Sequence, residues 1–520
     1  MKAQLAVVSK PFDGARRALE SLATRLGGPE SHGMTHGAVE ALIEHDGREI
    51  LRQLLQDHIT LRSGGFRGEP VVGADGIERA HRRLGVRSLM SIFGEVEVER
   101  TGCHSPGCST LFPLDAELNL PTCSYSHGVE RRLAALAGRM SFEAAVAEIA
   151  TTTGARLPKR QAEEIATRWS VDFDDYYAER VRTEQDFATG DLLVLTTDGK
   201  GIVMRLEDLR EPTRRAAETR EHKLRRRLSK GEKRNAKRMA SVASVYTLDA
   251  VSRTPEDVMG ELDGARPGEA AKARPRPQGK RVWASISKSM EAVIDDLFAE
   301  ASRRDPERRK KWVAVVDGNK TQLRLLRKAA KAYGVTLVIV LDVIHVLEYL
   351  WKAARALHPE TSPECETWVD ERFLKVLQGK ASAVAASMRR SATRRGLDPT
   401  ARKPIDSCAG YLVKYRDQLR YDEYLAAGLP IASGVIEGAC RHLVKDRMDI
   451  TGARWSIQGA EAVLRLRSLL ASRDFDDYAV FHEQREKASN HDIHYAGLTP
   501  PAPSTPARGT RTAPNLRLAR

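Results

Sequence analysis

Three acidic residues stand where carboxylates can hold divalent cations. Asp198 ends the apolar run of DLLVLTTDGKG, Asp317 ends that of KWVAVVDGNK, and Glu437 lies in SGVIEGACRHLVKDRMDITGARW, which reads as the start of a helix. Magnesium takes oxygen ligands and keeps several waters, so three carboxylates suffice where Cys or His would bind it poorly. Hydrolysis and transfer at a phosphodiester use two such cations, one activating water or a 3′-hydroxyl and one stabilising the leaving oxygen. Asp198 is expected to bridge both cations, with Asp317 and Glu437 each completing one. The cofactor expected is Mg²⁺, with Mn²⁺ able to substitute.

Each residue alone also has an ordinary reading. An Asp before Gly is commonly a turn residue, and Glu437 could simply pair with Arg441 one helical turn on. Their occurrence together, in order and on suitable elements, is what favours catalysis.

The elements around them fit that requirement. LLVLTTDG and KGIVMR are two β-rich runs flanking Asp198-Gly199 and suggest a hairpin. SVASVYTLDAV and RVWASISKS read as further strands, MEAVIDDLFAEASRR as an amphipathic helix, WVAVVDG as a buried strand, TQLRLLRKAAKAYG as a helix, and VTLVIVLDVIHVL as a strand entering a helix. That order is the layout of an α/β, ribonuclease-H-like core, in which carboxylates after the first strand, after the fourth and on a late helix meet at one sheet edge. A mostly helical stretch, 347–428, separates the last strand from the Glu437 helix and reads as an insertion.

Charge points to the substrate. Lys and Arg number 84 against 70 Asp and Glu, a formal charge of +14, which favours a polyanionic partner. The run RRAAETREHKLRRRLSKGEKRNAKRM has too few apolar residues to pack into a core, so Arg225, Arg226, Arg227, Lys233 and Arg234 read as phosphate contacts in a basic insertion, 206–240. Within SFEAAVAEIATTTGARLPKRQAEEIATRWSVDF, two helices flank GARLP and the second opens on Lys159 and Arg160, the layout of a helix-turn-helix. Arg454 and Trp455 in TGARW are further DNA-contact candidates; Trp455 either stacks on a splayed base or packs internally.

Six cysteines in 520 residues do not make a disulfide framework, no apolar stretch approaches a bilayer span, and the N-terminus lacks a secretory core. A cytoplasmic, nucleoid-associated protein with no membrane partner is expected. Cys103 and Cys108, with His104 between them, resemble half a zinc knuckle, but the spacing is looser than CxxC and reduced thiols in a β-turn are the preferred reading.

TTDGKG, VVDGNK, VLDVIHVLEYLW and LPIASGVIEGACRHLVKDRMDITGARW resemble the bacterial DDE transposases of the ISKra group of insertion sequences, related to the ISL and Mutator-like groups. The resemblance covers most of the chain and is strongest around Glu437. It implies that Asp198, Asp317 and Glu437 are the catalytic acids, and that Asp342 and His345 form the D-x-x-H signature after the second acid; Arg447 stands as a supporting residue. The long basic insertion and the CxxxxC turn depart from the family pattern and leave substrate path and zinc open. Topology favours Asp317 over Asp342 as second acid, with Asp342 and His345 as a hydrogen-bonded support pair.

The expected organisation is an N-terminal helical region with a Cys-bearing β-turn at 1–128, a helix-turn-helix-like region at 129–187, the catalytic domain at 188–472, and a C-terminal segment with a disordered basic tail at 473–520. The expected function is binding of an element's terminal inverted repeats, Mg-dependent cleavage at its ends and strand transfer into target DNA. Two copies would act in a synaptic complex. A DNA-binding regulator or relic, and a stand-alone nuclease of the same fold, are the alternatives.

Overall fold

A computed structural model describes residues 11–63, 70–180, 189–219, 237–262 and 275–501. The chain forms two compact units, one of residues 1–178 and 475–520 and the other of residues 179–474. The expected C-terminal segment is thus not separate: its helix closes the first unit. The proposed tail beyond 501 lies outside the described residues.

Unit 1 combines helices with a long β-hairpin. Helices α1 (Asp13–Leu26) and α2 (His36–Arg62) precede strands β1 (His81–Ser91) and β2 (Gly94–His104). The alternation in GEVEVER places Val96 and Val98 in a core with Ile59, Leu89 and Leu120. Three helices follow, α3 (His127–Arg139), α4 (Phe142–Thr152) and α5 (Lys159–Arg168). Ser126 and Ser141 cap the first two through their hydroxyls. Between α4 and α5, Gly154 donates its N–H to Ile92 at 2.9 Å. A Cβ there would meet the Phe93 carbonyl oxygen at 2.4 Å, so only glycine allows this approach to the hairpin tip.

Unit 2 is built on a five-stranded mixed sheet. Strands β3 (Leu192–Val203), β4 (Lys237–Leu248), β5 (Gln278–Ser285), β6 (Lys311–Val316) and β7 (Leu337–Leu341) lie in the order β5-β4-β3-β6-β7. The β3/β4 and β4/β5 pairs are antiparallel, and β3/β6 and β6/β7 are parallel. The apolar runs VAVV of β6 and LLVL of β3 are buried throughout, as expected of strands covered on both faces. Helix α6 (Met290–Arg304) joins β5 to β6, and α7 (Lys320–Ala332) joins β6 to β7.

The expected hairpin at Asp198-Gly199 does not form. β3 continues through both residues to Val203, with Asp198 paired to Val242 and Gly199 to Ser241 of β4. A twelve-residue antiparallel ladder overrides the turn preference of Asp-Gly. Pairing of β3 with β6, by contrast, stops at Thr196. Asp198 therefore sits where the two strands part.

The stretch after β7 is helical, as the sequence predicts: α8 (Val343–Ala354), α9 (Pro363–Leu377), α10 (Ala381–Arg394), α11 (Pro399–Lys414) and α12 (Tyr421–Ala426). It is fastened to the sheet by tyrosine hydroxyls. Tyr411 donates to the Asp317 carbonyl at 3.3 Å, Tyr415 to that of Gly318 at 2.6 Å, and Tyr421 to that of Leu341 at 2.8 Å.

Tyr421 is fully buried, and Tyr421→Phe strands the Leu341 carbonyl. A loss of about 1–3 kcal/mol is expected, read as a lower denaturation midpoint; an unchanged midpoint would show that this hydroxyl does not support the strand end.

Candidate active site

The strand register brings the acidic residues to one level. Thr196 pairs with Val315, and Val316 with Leu341. Carried forward, those registers match Asp198 with Asp317 and Asp317 with Asp342, the last two standing directly after the ends of β6 and β7. Asp342 donates its backbone N–H to the Val316 carbonyl at 2.8 Å, so this level is kept past the end of β7.

Each carboxylate is held by nearby donors. Asp198 Oδ1 accepts from the Gly199 N–H at 2.6 Å. Asp317 Oδ1 accepts from the Asn319 N–H at 2.9 Å, and Asn319 caps α7 with its own side chain. Asp342 is fully buried and caps α8 through Ile344 N–H at 2.8 Å. Its other oxygen accepts from the Ser433 N–H at 3.2 Å and from the Ser433 hydroxyl.

Ser433 begins the segment that carries the third acid. Helix α13 (Gly434–Ala439) contains Glu437 and passes directly into a π-helical turn, Cys440–Lys445, with helix α14 (Ile457–Ser472) farther on. Such turns place side chains off the α-helical spacing and recur at functional sites. Here Cys440 donates its thiol to Asp198 Oδ2 at 3.2 Å, joining the Glu437 segment to β3. Ligand atoms of Asp342, His345 and Glu437 lie within 4.8 Å of one another. Asp317 is not in that trio; it stands between Asp198 and Asp342 in strand order.

The electrostatics follow from this crowding. Burial raises the Glu437 carboxyl above its usual range, the Asp342 charge adds to the shift and Asp198 contributes, while His345 opposes it. Burial, then the neighbouring Asp198 charge, pushes the Cys440 thiol far up, so it stays a donor. A set of carboxylate oxygens with raised affinity for positive charge matches hard divalent cations.

The remaining candidates are spread over the chain. Lys159 and Arg160 open α5 and are exposed, Arg160 pairing with Glu164 at 3.0 Å. Arg454 is exposed, but Trp455 is buried, its indole N–H donating to the Met448 carbonyl at 3.0 Å. Its ring is therefore used in packing and is not presented for base stacking. Arg447 is also buried, lies 5.0 Å from the centre of that ring, and is pushed down to about 10 chiefly by burial. Arg225, Arg226, Arg227, Lys233 and Arg234 lie outside the described residues.

Cys103 is buried against Val71, Leu111, Ala116 and Tyr495, and burial raises its thiol. Among the described residues, neither Cys103 nor Cys108 belongs to a group of three metal-ligating side chains. Sequence reading missed Ser433 and Cys440. Their only signal was proximity to Glu437, with Cys440 three residues beyond it.

Comparison with protein-family models and with curated proteins gives no match. Among solved structures, the Drosophila P element transposase strand transfer complex is similar over 68% of this chain and 81% of its own, at 11% identity and a TM-score of 0.25. That correspondence is too loose to transfer residues or function. Among the described residues, no helix is long and apolar enough to cross a membrane.

The raised Glu437 carboxyl has a consequence for stability. Ionising it costs more in the folded chain than in the unfolded one, so its contribution is full below the ordinary value of 4.5 and is lost as pH rises through the higher folded value. In EDTA, Glu437→Gln should therefore denature at a higher temperature than wild type at pH 7, and the gap should close below 4.5. A gap independent of pH would contradict this account.

Proposed function

We propose that this chain is a DDE-type DNA transposase. Its mixed sheet would be a ribonuclease-H-like core, with Asp198, Asp317 and Glu437 as the catalytic acids around Mg²⁺. The observation that carries the reading is that Asp317 and Asp342 directly follow adjacent parallel strands beside the strand bearing Asp198, with Glu437 brought close to Asp342. The strand order, three antiparallel strands followed by two parallel ones, fits that core.

The oxygen-only acid set suits Mg²⁺, and Mn²⁺ would satisfy the same ligands. Bound there, the cations would activate the attacking oxygen and stabilise the leaving one. Asp198 lies where β3 leaves β6 and is partly exposed; a backbone phosphate would approach it there. Asp342 and His345 are positioning residues: Asp342 grips Ser433, and Ser433 sets the start of α13. Cys440, kept protonated, fixes one Asp198 oxygen.

DNA recognition would fall to other surfaces. The exposed start of α5, with Lys159 and Arg160, would read the terminal inverted repeats of an insertion sequence of the ISKra type. Arg454 and the basic run around Arg225 would add phosphate contacts. Two copies would hold paired ends and join the freed 3′-hydroxyls to target DNA.

Incubation of the protein with labelled element ends and target DNA in Mg²⁺ tests the reading. Asp198→Asn, Asp317→Ala and Glu437→Gln should each lower cleavage by more than about 100-fold while leaving end binding nearly intact. Asp342→Ala should lower it by about 10–100-fold, as loss of a supporting partner does. Full cleavage by any of the first three would remove that residue from the site. Cleavage without joining would mark a nuclease, and neither activity a DNA-binding regulator.

A further inference from the structure

Unit 1 holds a second group of ligating side chains, gathered from α3 and from α15 (Phe475–Asn490). His127 Nδ1 lies 3.4 Å from Glu486 Oε2, and His482 Nε2 lies 3.9 Å from the same oxygen. Ligand atoms of His127, Glu130 and Glu486 fall within 4.8 Å of one another. The group is shielded from water: side-chain exposure is 16% for His127 and 12% for Glu486, 1% for His482 and 0% for Glu130. His482 and Glu486 stand one turn apart on α15, a spacing that puts both on one helix face.

The outer neighbours of the two imidazoles decide where their protons are. His127 Nε2 lies 2.9 Å from the Asn119 carbonyl, and His482 Nδ1 lies 2.7 Å from an Asp172 carboxylate oxygen. Both partners only accept, so those ring nitrogens carry the hydrogens. In the neutral rings, the inward nitrogens are then lone-pair acceptors. His127 Nδ1, His482 Nε2 and Glu486 Oε2 are all buried without a hydrogen-bond partner. Three acceptor atoms converging without a donor are costly unless a positive charge lies among them.

This is the arrangement of a metal site. A carbonyl or carboxylate on the far ring nitrogen is what orients metal-bound histidines. With bonds of about 2.1 Å, tetrahedral zinc ligands sit about 3.4 Å apart, the separation of His127 Nδ1 from Glu486 Oε2; His482 Nε2, 3.9 Å from that oxygen, stands just outside the convergent group. Glu130 offers the second oxygen of the group, its orientation fixed by Arg168, by the Trp169 indole at 3.1 Å and by the Cys123 thiol at 2.9 Å.

We infer that His127, Glu130 and Glu486, with His482 as fourth ligand, bind a transition metal of the zinc class that ties α15 to α3. Imidazole and carboxylate ligands in a closed, buried set suit zinc in a structural role. The site is separate from the Cys103–Cys108 turn and from the sheet-edge carboxylates.

The test uses the full chain, purified without added histidines and carrying Asp198→Asn and Glu437→Gln so that the sheet-edge acids do not contribute. After incubation with Zn²⁺ or Co²⁺ and desalting, about one equivalent of metal should remain. Co²⁺ should give the visible absorption of a four-coordinate ion. Adding His482→Gln and Glu486→Gln should weaken retention by at least about tenfold, whereas Cys103→Ser should leave it unchanged. Metal kept by the His482/Glu486 variant, or lost with Cys103, would overturn the inference. So would no uptake at all, the result expected if doubly protonated imidazoles alone neutralise Glu486. If the ligand variant does not fold, anomalous scattering at the zinc edge decides, since the peak must fall among His127, His482 and Glu486.

Discussion

Repulsion between like charges governs the sheet edge of unit 2. Two unit charges about 4 Å apart near a protein surface interact by about 4 kcal/mol, and Asp198, Asp342 and Glu437 all act on one neighbourhood. The chain answers with fixed donors: backbone N–H groups of Gly199, Asn319, Ile344 and Ser433, the Ser433 hydroxyl and the Cys440 thiol. These orient the carboxylates without neutralising them, and the remaining imbalance attracts cations.

Rigidity comes from the helices that follow β7. Tyr411, Tyr415 and Tyr421 hold the carbonyls at the ends of β6 and β7, the backbone points from which Asp317 and Asp342 project. Asp342 then passes its position to Ser433 and so to the segment bearing Glu437. The helices after β7 thus serve the acids as a brace, and small shifts in them would be felt at the sheet edge.

Much of unit 2 was legible in the sequence because its strands are short apolar runs bounded by polar turns, and its helices carry regular apolar spacing. Asp198-Gly199 misled because a local turn preference is weak beside a long ladder. The π-helical turn left no periodic signature, so the approach of Cys440 to Asp198 could not be foreseen. Trp455 read more readily as packing than as a stacking platform, and its indole bond to the Met448 carbonyl agrees with packing. In unit 1, His127 and His482 are too far apart in the chain for any spacing rule to join them, and the Phe475–Asn490 helix gave no sign that it belongs with residues 1–178.

That last point bears on how the protein is made. Tyr478 donates to the Trp169 carbonyl at 2.6 Å and His482 contacts Asp172, so the core of unit 1 is closed by residues translated after all of unit 2. On the ribosome, unit 2 can complete its fold while residues 1–178 still wait for their closing helix. Whatever unit 1 contributes would then begin only in chains synthesised through Phe475–Asn490, after unit 2 is already in place.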